Sequence, residues 1–285
     1  MKGIPPRRRR KRWEILIPES IVTGGDSLVE KTMRVGWIGR AAAIFRVEKV
    51  TVYMEEGNRR AQLFIARVLD YMATPQYARK IRFRIERELR YVGMLPPLRT
   101  PNHPVAREVY EGDFREGVVR ERKEGKLVID VGLERLVTMK GKTRPGKLVN
   151  LRLENKEKWV WRQVDRGEIP WYWGFKVTTF NGTLGKYLEK RRNKETYIIA
   201  TSKCGKPITS MWRELKREVK DYTNIILLFG GPKRGLREIL LSEEVDLEEV
   251  SDVVVNTLPG QGVETVRTEE AVLATLAVLN FIMID

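Results

Sequence analysis

The last sixty residues contain two short apolar segments, and each of them ends in a loop that carries glycine. The first segment and its loop, residues 225–235, read I-I-L-L-F-G-G-P-K-R-G. The second, residues 253–271, reads V-V-V-N-T-L-P-G-Q-G-V-E-T-V-R-T-E-E-A and leads into an apolar helix. Residues 200–207 form a similar loop after a strand-like segment at 197–199. Apolar runs that stop at glycine and are followed by helices predict buried strands. Loops at the carboxyl ends of such strands predict a ligand site.

The first hundred residues alternate between strand-like and helix-like patterns. Residues 14–22 and 49–55 are strand-like, whereas residues 27–46 and 59–71 have helical spacing. Residues 76–90 are compatible with either a helix or a strand, and we prefer the helix. This order predicts an α/β domain with a mainly parallel sheet.

The pattern changes at a proline-rich segment, residues 95–104, which reads L-P-P-L-R-T-P-N-H-P and cannot be helical throughout. Short strands separated by glycine turns follow, at residues 117–121, 126–131, 133–139 and 147–154. They predict a small all-β barrel, and the OB-like type is favoured because it commonly binds oligonucleotides. We therefore expect an OB-like RNA-binding domain at 99–164, inserted into an α/β domain formed by 13–98 and 165–285.

The charges are unevenly distributed along the chain. The sequence has 54 Lys and Arg against 38 Asp and Glu, a net charge of +16. Residues 241–285, in contrast, contain ten acidic residues and a single basic residue, Arg267. A polyanion is the expected partner of such a surface, with nucleic acid as the leading candidate. Candidate RNA-binding residues are the arginines of a basic tail at 1–12 and of the segment at 76–90, although solvated surfaces are the alternative: Arg7, Arg8, Arg9, Arg10, Arg82 and Arg84.

Other features exclude several classes of protein and of site. A lone cysteine, Cys204, rules out an internal disulfide and favours a cytoplasmic location. We expect it to be a small buried residue, and a nucleophile beside the ligand loop is the alternative. The apolar helix at 271–282 is too short to span a bilayer, and no secretory signal is expected at the N-terminus. That helix is apolar nearly all round, which predicts burial on every side, either at a subunit interface or deep inside the fold. With His103 as the single histidine, no metal site is expected, and the loop at 229–235 lacks both common nucleotide-binding glycine motifs.

The three C-terminal loops resemble those of the SPOUT class of RNA methyltransferases. F-G-G-P-K-R-G and N-T-L-P-G-Q-G…R-T-E-E-A before an apolar helix carry the resemblance, and the inserted barrel narrows it to the archaeal–eukaryotic branch. The resemblance covers most of the chain. It implies S-adenosylmethionine-dependent methylation of a structured RNA, ribosomal or transfer RNA, by a trefoil-knotted domain that forms a homodimer through the knot region. The alternative is a non-catalytic RNA-binding or ribosome-assembly factor that retains the fold.

The resemblance implies the residues that contact the cofactor, but it does not assign the group that takes up the proton, because the family does not share one catalytic base. Arg267 and Glu264 lie in the last loop and are candidates for taking up a proton, although holding the loop or the dimer is the alternative. Arg234 is a candidate for contact with RNA phosphate. By matched position, the cofactor would contact twelve residues: Thr201, Gly230, Gly231, Pro232, Gly235, Asn256, Thr257, Leu258, Gly260, Gln261, Val266 and Thr268.

Overall fold

A computed structural model describes residues 5–104 and 108–283, which form two compact units. The described residues of the larger, parallel-sheet unit are 9–70, 91–96 and 175–283. Those of the smaller, antiparallel-sheet unit are 5–8, 71–90, 97–104 and 108–174.

The parallel-sheet unit begins with two strand–helix pairs, as the alternating pattern predicts. These elements are β1 (Arg12–Pro18), α1 (Leu28–Ile44), β2 (Lys49–Tyr53) and α2 (Arg59–Ala73). The strand predicted at 14–22 is only partly right, because β1 ends at Pro18 and a 3₁₀ turn follows. Helix α1 begins after Ser27, whose hydroxyl accepts the Glu30 N–H while the Glu30 carboxylate accepts the Ser27 N–H. This reciprocal pair satisfies two amides at the start of the helix.

The antiparallel-sheet unit contains one short helix and five strands. They are α3 (Gln76–Arg82), β3 (Phe114–Lys123), β4 (Lys126–Asp130), β5 (Val137–Lys140), β6 (Leu148–Asn155) and β7 (Val160–Gln163). The strand order is β5-β4-β3-β6-β7, and all neighbours are antiparallel. Alternate residues such as Leu127, Ile129 and Leu151 form a buried core. The prediction of a small, barrel-like all-β region is therefore confirmed.

The helix preferred for residues 76–90 ends early, at Arg82. Phe83 is extended and buried, and its ring meets that of Tyr71 edge-on, with 5.2 Å between centroids. This packing fixes an extended backbone where the local spacing is compatible with both structures. Ile85, two residues farther on, is fully exposed.

The chain then completes the parallel-sheet unit. Its remaining elements are β8 (Lys176–Thr179), α4 (Leu184–Arg191), β9 (Thr196–Pro207), α5 (Ile208–Glu218), β10 (Asn224–Leu228), α6 (Leu236–Leu241), α7 (Leu247–Val250), β11 (Val253–Asn256) and α8 (Thr268–Ile282). The six strands are parallel, in the order β11-β9-β10-β1-β2-β8. Ala200 on β9 pairs with Leu228 on β10 and with Val254 on β11. The three predicted loops consequently leave the sheet side by side, at the edge formed by the carboxyl ends of the strands.

Helix α8 is buried on one side only. It packs against α1 and buries Val272, Leu276 and Leu279. Leu273 and Phe281 are 39% and 84% exposed, so the prediction that this helix lies deep inside the fold is wrong, whereas burial at a subunit interface stays a prediction. Within the described residues, no helix combines the length and the apolar character needed to cross a membrane.

Candidate active site

The three strand-end loops of the parallel-sheet unit enclose a cavity of about 410 Å³. This volume lies in the range typical of small-molecule sites. Of the twelve residues expected to contact a cofactor, eleven line the cavity: Thr201, Gly230, Gly231, Pro232, Gly235, Asn256, Thr257, Leu258, Gln261, Val266 and Thr268. Gly260 does not line it. Its φ of +75° places it in a turn that favours glycine.

One wall of the cavity arises from an irregularity in β9. Val254 pairs with Ala200, but the next residue, Val255, pairs with Lys206. Residues 201–205 therefore leave the ladder as a bulge, and residues 201–204 line the cavity. A side chain at Gly205 would bring its Cβ within 2.7 Å of the Val255 carbonyl carbon, so the bulge requires glycine there.

Polar side chains in the cavity wall hold the three loops together. The hydroxyl of Thr201 donates to the Leu228 carbonyl (2.7 Å), and that of Thr268 donates to the Gly230 carbonyl (3.1 Å). The side-chain amide of Asn256 donates to a carbonyl of the β9 bulge (2.9 Å). These groups are among the expected cofactor contacts, yet their donors already bind the backbone. Their physical role in this structure is to fix the shape of the cavity.

Glycines in the loop at 229–235 are required by the packing of the protein itself. A Cβ at Gly230 would lie 3.0 Å from the backbone nitrogen of Leu236. A Cβ at Gly231 would overlap the Glu55 carboxylate and the Ser20 hydroxyl. The sequence predicts cofactor contacts for these glycines and does not reveal their packing against Glu55. The available signal was the acidic pair Glu55 and Glu56, which begins two residues after the end of β2.

The structure separates the two candidates for proton uptake. Glu264 lines the cavity, whereas Arg267 does not. Arg267 is exposed and occupies the N-cap of α8, where its N–H donates to the Glu270 carboxylate (2.9 Å). Thr268 is the first helical residue. Cys204 is exposed and lines the cavity, so the expectation that it is buried is wrong.

The structure describes the basic segment at the N-terminus from residue 5 onward. Arg9, a predicted RNA-binding residue, is buried: its guanidinium lies 4.1 Å from the ring centroid of Trp13 and its Nε donates to the Phe45 carbonyl (3.0 Å). That guanidinium is therefore not available to RNA. Arg8 donates to the Arg166 carbonyl (2.9 Å), and both residues lie in the antiparallel-sheet unit.

The other predicted RNA-binding arginines differ in exposure. Arg7, Arg10 and Arg84 are exposed. Arg82 is half-buried and donates to the hydroxyl of Thr74 (3.1 Å). Arg234 lines the cavity, in the other unit.

Comparison with known proteins identifies the family. The sequence model of the family described as "Putative RNA methyltransferase" matches residues 12–279. The chain belongs to this family. Family membership therefore supports an RNA methyltransferase over the alternative of a non-catalytic RNA-binding factor. The cavity is the candidate active site of this enzyme.

Several relatives of this RNA methyltransferase match it along nearly its whole length. A protein of Halobacterium salinarum without an assigned function is 33% identical over 93% of this chain and 98% of its own. The human 28S rRNA (uridine-N(3))-methyltransferase is 30% identical over 96% of this chain and 79% of its own. The Drosophila melanogaster protein of the same name is 31% identical over 93% of this chain and 61% of its own.

Proposed function

We propose that this RNA methyltransferase transfers a methyl group from S-adenosylmethionine to N3 of a uridine in ribosomal RNA. The observation that carries the proposal is the cavity formed by three strand-end loops, which brings together eleven residues expected to bind the cofactor. The names of the human and Drosophila relatives support uridine N3 of ribosomal RNA as the acceptor.

The cavity fits the proposed cofactor. Leu258 and Val266 supply apolar surface for the faces of an adenine ring, and buried Phe229 and Val255 help to exclude water. The backbone of the glycine-bearing loop is left open to a ligand where side chains are missing. When bound, S-adenosylmethionine supplies a methyl group already activated by a sulfonium sulfur.

The protein contributes alignment and a destination for the proton. Fixed loops hold the uracil in line with the reacting carbon, which lowers the entropic cost of the reaction. The bond between the methyl carbon and sulfur breaks while the bond between that carbon and N3 forms. Glu264, at the cavity, accepts the proton that leaves N3.

The proposal includes a homodimer whose interface is formed by the knot region. Helices α1 and α8 pack together and leave large apolar side chains exposed, namely Trp37, Ile44, Leu273 and Phe281. Exposed apolar patches of this kind mark interaction surfaces, and a second copy of the chain can cover them symmetrically. The proposed trefoil knot tucks the loop at 256–267 through the chain, and the proposed RNA-binding module is the OB-like antiparallel sheet.

The proposal is tested by calorimetric titration with S-adenosylmethionine and by nucleoside analysis of methylated ribosomal RNA. We expect saturable binding that is lost in Val266→Asp, which places a charge in the cavity. Val263→Asp is the matched control, because Val263 is an exposed residue of the same loop and does not line the cavity. Undiminished binding by Val266→Asp would refute the cofactor site. Methylation of any atom other than uridine N3 would refute the acceptor.

A further inference from the structure

A buried carboxylate fixes the loop that follows β2, close to the glycine-bearing loop at 229–235. Glu19 has no exposed surface and accepts the backbone N–H groups of three residues: Glu55 (2.5 Å), Glu56 (2.8 Å) and Asn58 (3.0 Å). A carboxylate that binds three amides holds its loop rigidly, because each unmade bond would leave a buried charge unsatisfied. The position of Glu55 is therefore set by Glu19.

The side chain of Glu55 is itself buried, with 1% of its surface exposed. Its Oε2 accepts the hydroxyl of Ser20, and its Oε1 lies 3.1 Å from Nε of Arg234. Nη2 of Arg234 also donates to the backbone carbonyl of Glu55 (3.2 Å). Gly231 makes this arrangement possible, because any larger residue would overlap the carboxylate.

Arg234 is consequently held along one edge of its guanidinium, and the residue belongs to the wall of the cavity. Nη1 finds no hydrogen-bond acceptor among the residues that the structure describes. The Arg234 side chain is 37% exposed. A guanidinium fixed in this way can donate in one defined direction.

The other cations of the cavity wall differ from Arg234. Lys203 and Lys233 are exposed, and exposed Arg237 pairs with exposed Glu248 (2.8 Å). Exposed charges of this kind suit phosphate, which attracts cations electrostatically at the surface. Arg234 has its charge balanced by a buried carboxylate and its orientation fixed, which suits a directed hydrogen bond to a planar group.

We propose that Nη1 of Arg234 donates to a carbonyl oxygen of the target uracil and stabilises the negative charge that develops there as N3 loses its proton. N3 lies between two carbonyl groups, so its charge spreads onto O2 and O4. A fixed donor at either oxygen is strongest where that charge appears. Glu55 is the positioning residue for Arg234. This inference rests on the proposed function, with Glu264 as the proton acceptor.

The test measures single-turnover methylation of ribosomal RNA against pH, for Arg234→Ala, Arg234→Lys, Glu55→Gln and the exposed control Lys194→Ala. Arg234→Ala should slow methyl transfer at neutral pH by about 10²–10³-fold, a loss typical of removing one such donor. The loss should shrink as pH rises, because N3 then ionises without assistance. RNA with 5-fluorouridine at the target, whose N3–H is more acidic, should recover much of the rate.

Binding measurements decide between this role and its alternatives. Calorimetry should show unchanged S-adenosylmethionine affinity, and RNA affinity should keep its salt dependence. Glu55→Gln should reproduce the pH signature at smaller amplitude, and Arg234→Lys should recover only part of the rate. Weaker RNA binding with a reduced salt slope would assign Arg234 to phosphate, and weaker cofactor binding would assign it to the cofactor. Either result overturns the proposal.

The wild-type product separates this inference from the proposed function. If the wild type forms 3-methyluridine and Arg234→Ala keeps a normal rate and pH profile, the inference alone fails. If the wild type methylates another atom, the proposed function fails and the inference falls with it. Cofactor binding by each variant shows that the variant is folded.

Discussion

The hydroxyl oxygens of Thr257 and Thr275 lie 2.7 Å apart, and both residues are buried. The bond joins the loop after β11 to helix α8, in the wall of the cavity. Thr275→Val leaves the Thr257 hydroxyl buried without this partner, so we expect the free energy of unfolding to fall by about 1–3 kcal/mol. Removing both hydroxyls should cost less than the sum of the single changes. Urea denaturation of a double-mutant cycle measures this coupling, and additive effects would contradict it.

The position of Glu264 in the cavity wall predicts a rate effect without a binding effect. Glu264→Gln removes the proposed proton acceptor, and general bases typically contribute about 10²–10⁴-fold to a rate. Single-turnover methylation should slow accordingly, while calorimetry shows unchanged cofactor affinity. Arg267→Ala should retain most of the rate, because Arg267 lies outside the cavity wall. The reverse ranking would make Arg267 the functional residue of this loop.

The exposed apolar side of α8 predicts an effect on oligomeric state. Phe281→Glu places a charge in the proposed interface and should convert the homodimer to a monomer in sedimentation velocity. Leu241→Glu is the matched control, since Leu241 is an exposed leucine on α6. It should leave the dimer intact. A wild-type monomer at micromolar concentration would remove this part of the proposal.

The burial of His103 predicts that the stability of the folded chain depends on pH. Burial, assisted by the positive charge of Arg79, lowers the pKa of His103 from 6.5 to about 4. The neutral ring contacts the Ala73 carbonyl through Nε2 (2.9 Å). Below pH 6.5 the unfolded chain binds a proton that the folded chain does not, so stability is full above pH 6.5 and is lost as pH falls toward 4.

The expected loss at His103 is about 3 kcal/mol, from the size of the pKa difference. Because this is the only histidine in the chain, its contribution can be isolated. Chemical denaturation between pH 7 and 4 should show a smaller decrease for His103→Gln than for the wild type. Parallel curves for the two proteins would show that His103 does not titrate as described.

Arg84 and Arg9 form a matched pair for the RNA-binding prediction. Arg84 is exposed, so Arg84→Ala should weaken RNA binding and reduce the slope of log affinity against log salt by about 1. Arg9 is buried against Trp13, so Arg9→Ala should lower the free energy of unfolding and leave that slope unchanged. Filter binding at several salt concentrations and thermal unfolding distinguish the two effects. If Arg9→Ala reduced the salt slope and Arg84→Ala did not, Arg9 rather than Arg84 would be the residue that contacts RNA.

The parallel sheet and the cavity were predictable because their signals are local. Strands such as β10 are short apolar runs that stop at glycine, and parallel pairing brings their ends together without further information. Long-range contacts were not predictable in this way. The pairing of Glu55 with Arg234 joins residues 179 positions apart, and the guanidinium of Arg9 donates to the carbonyl of Phe45, 36 positions away.

The segment after Arg82 illustrates a different limit. The spacing of its charged and apolar residues is compatible with both a helix and a strand. The contact of Phe83 with Tyr71 favours the extended backbone. Helix α8 shows the same limit for burial. Its composition indicates how much apolar surface it carries, but the exposure of Phe281 follows from which neighbours the chain supplies.

The overlap that any side chain at position 231 would make with Glu55 has an evolutionary consequence. A substitution at Gly231 is compatible with this packing only if the carboxylate at position 55 is shortened or lost, and Ser20 and Arg234 would then lose a partner. These four positions are expected to change as a group rather than one at a time. Homologous lineages should therefore carry either the complete set or a coordinated replacement of it.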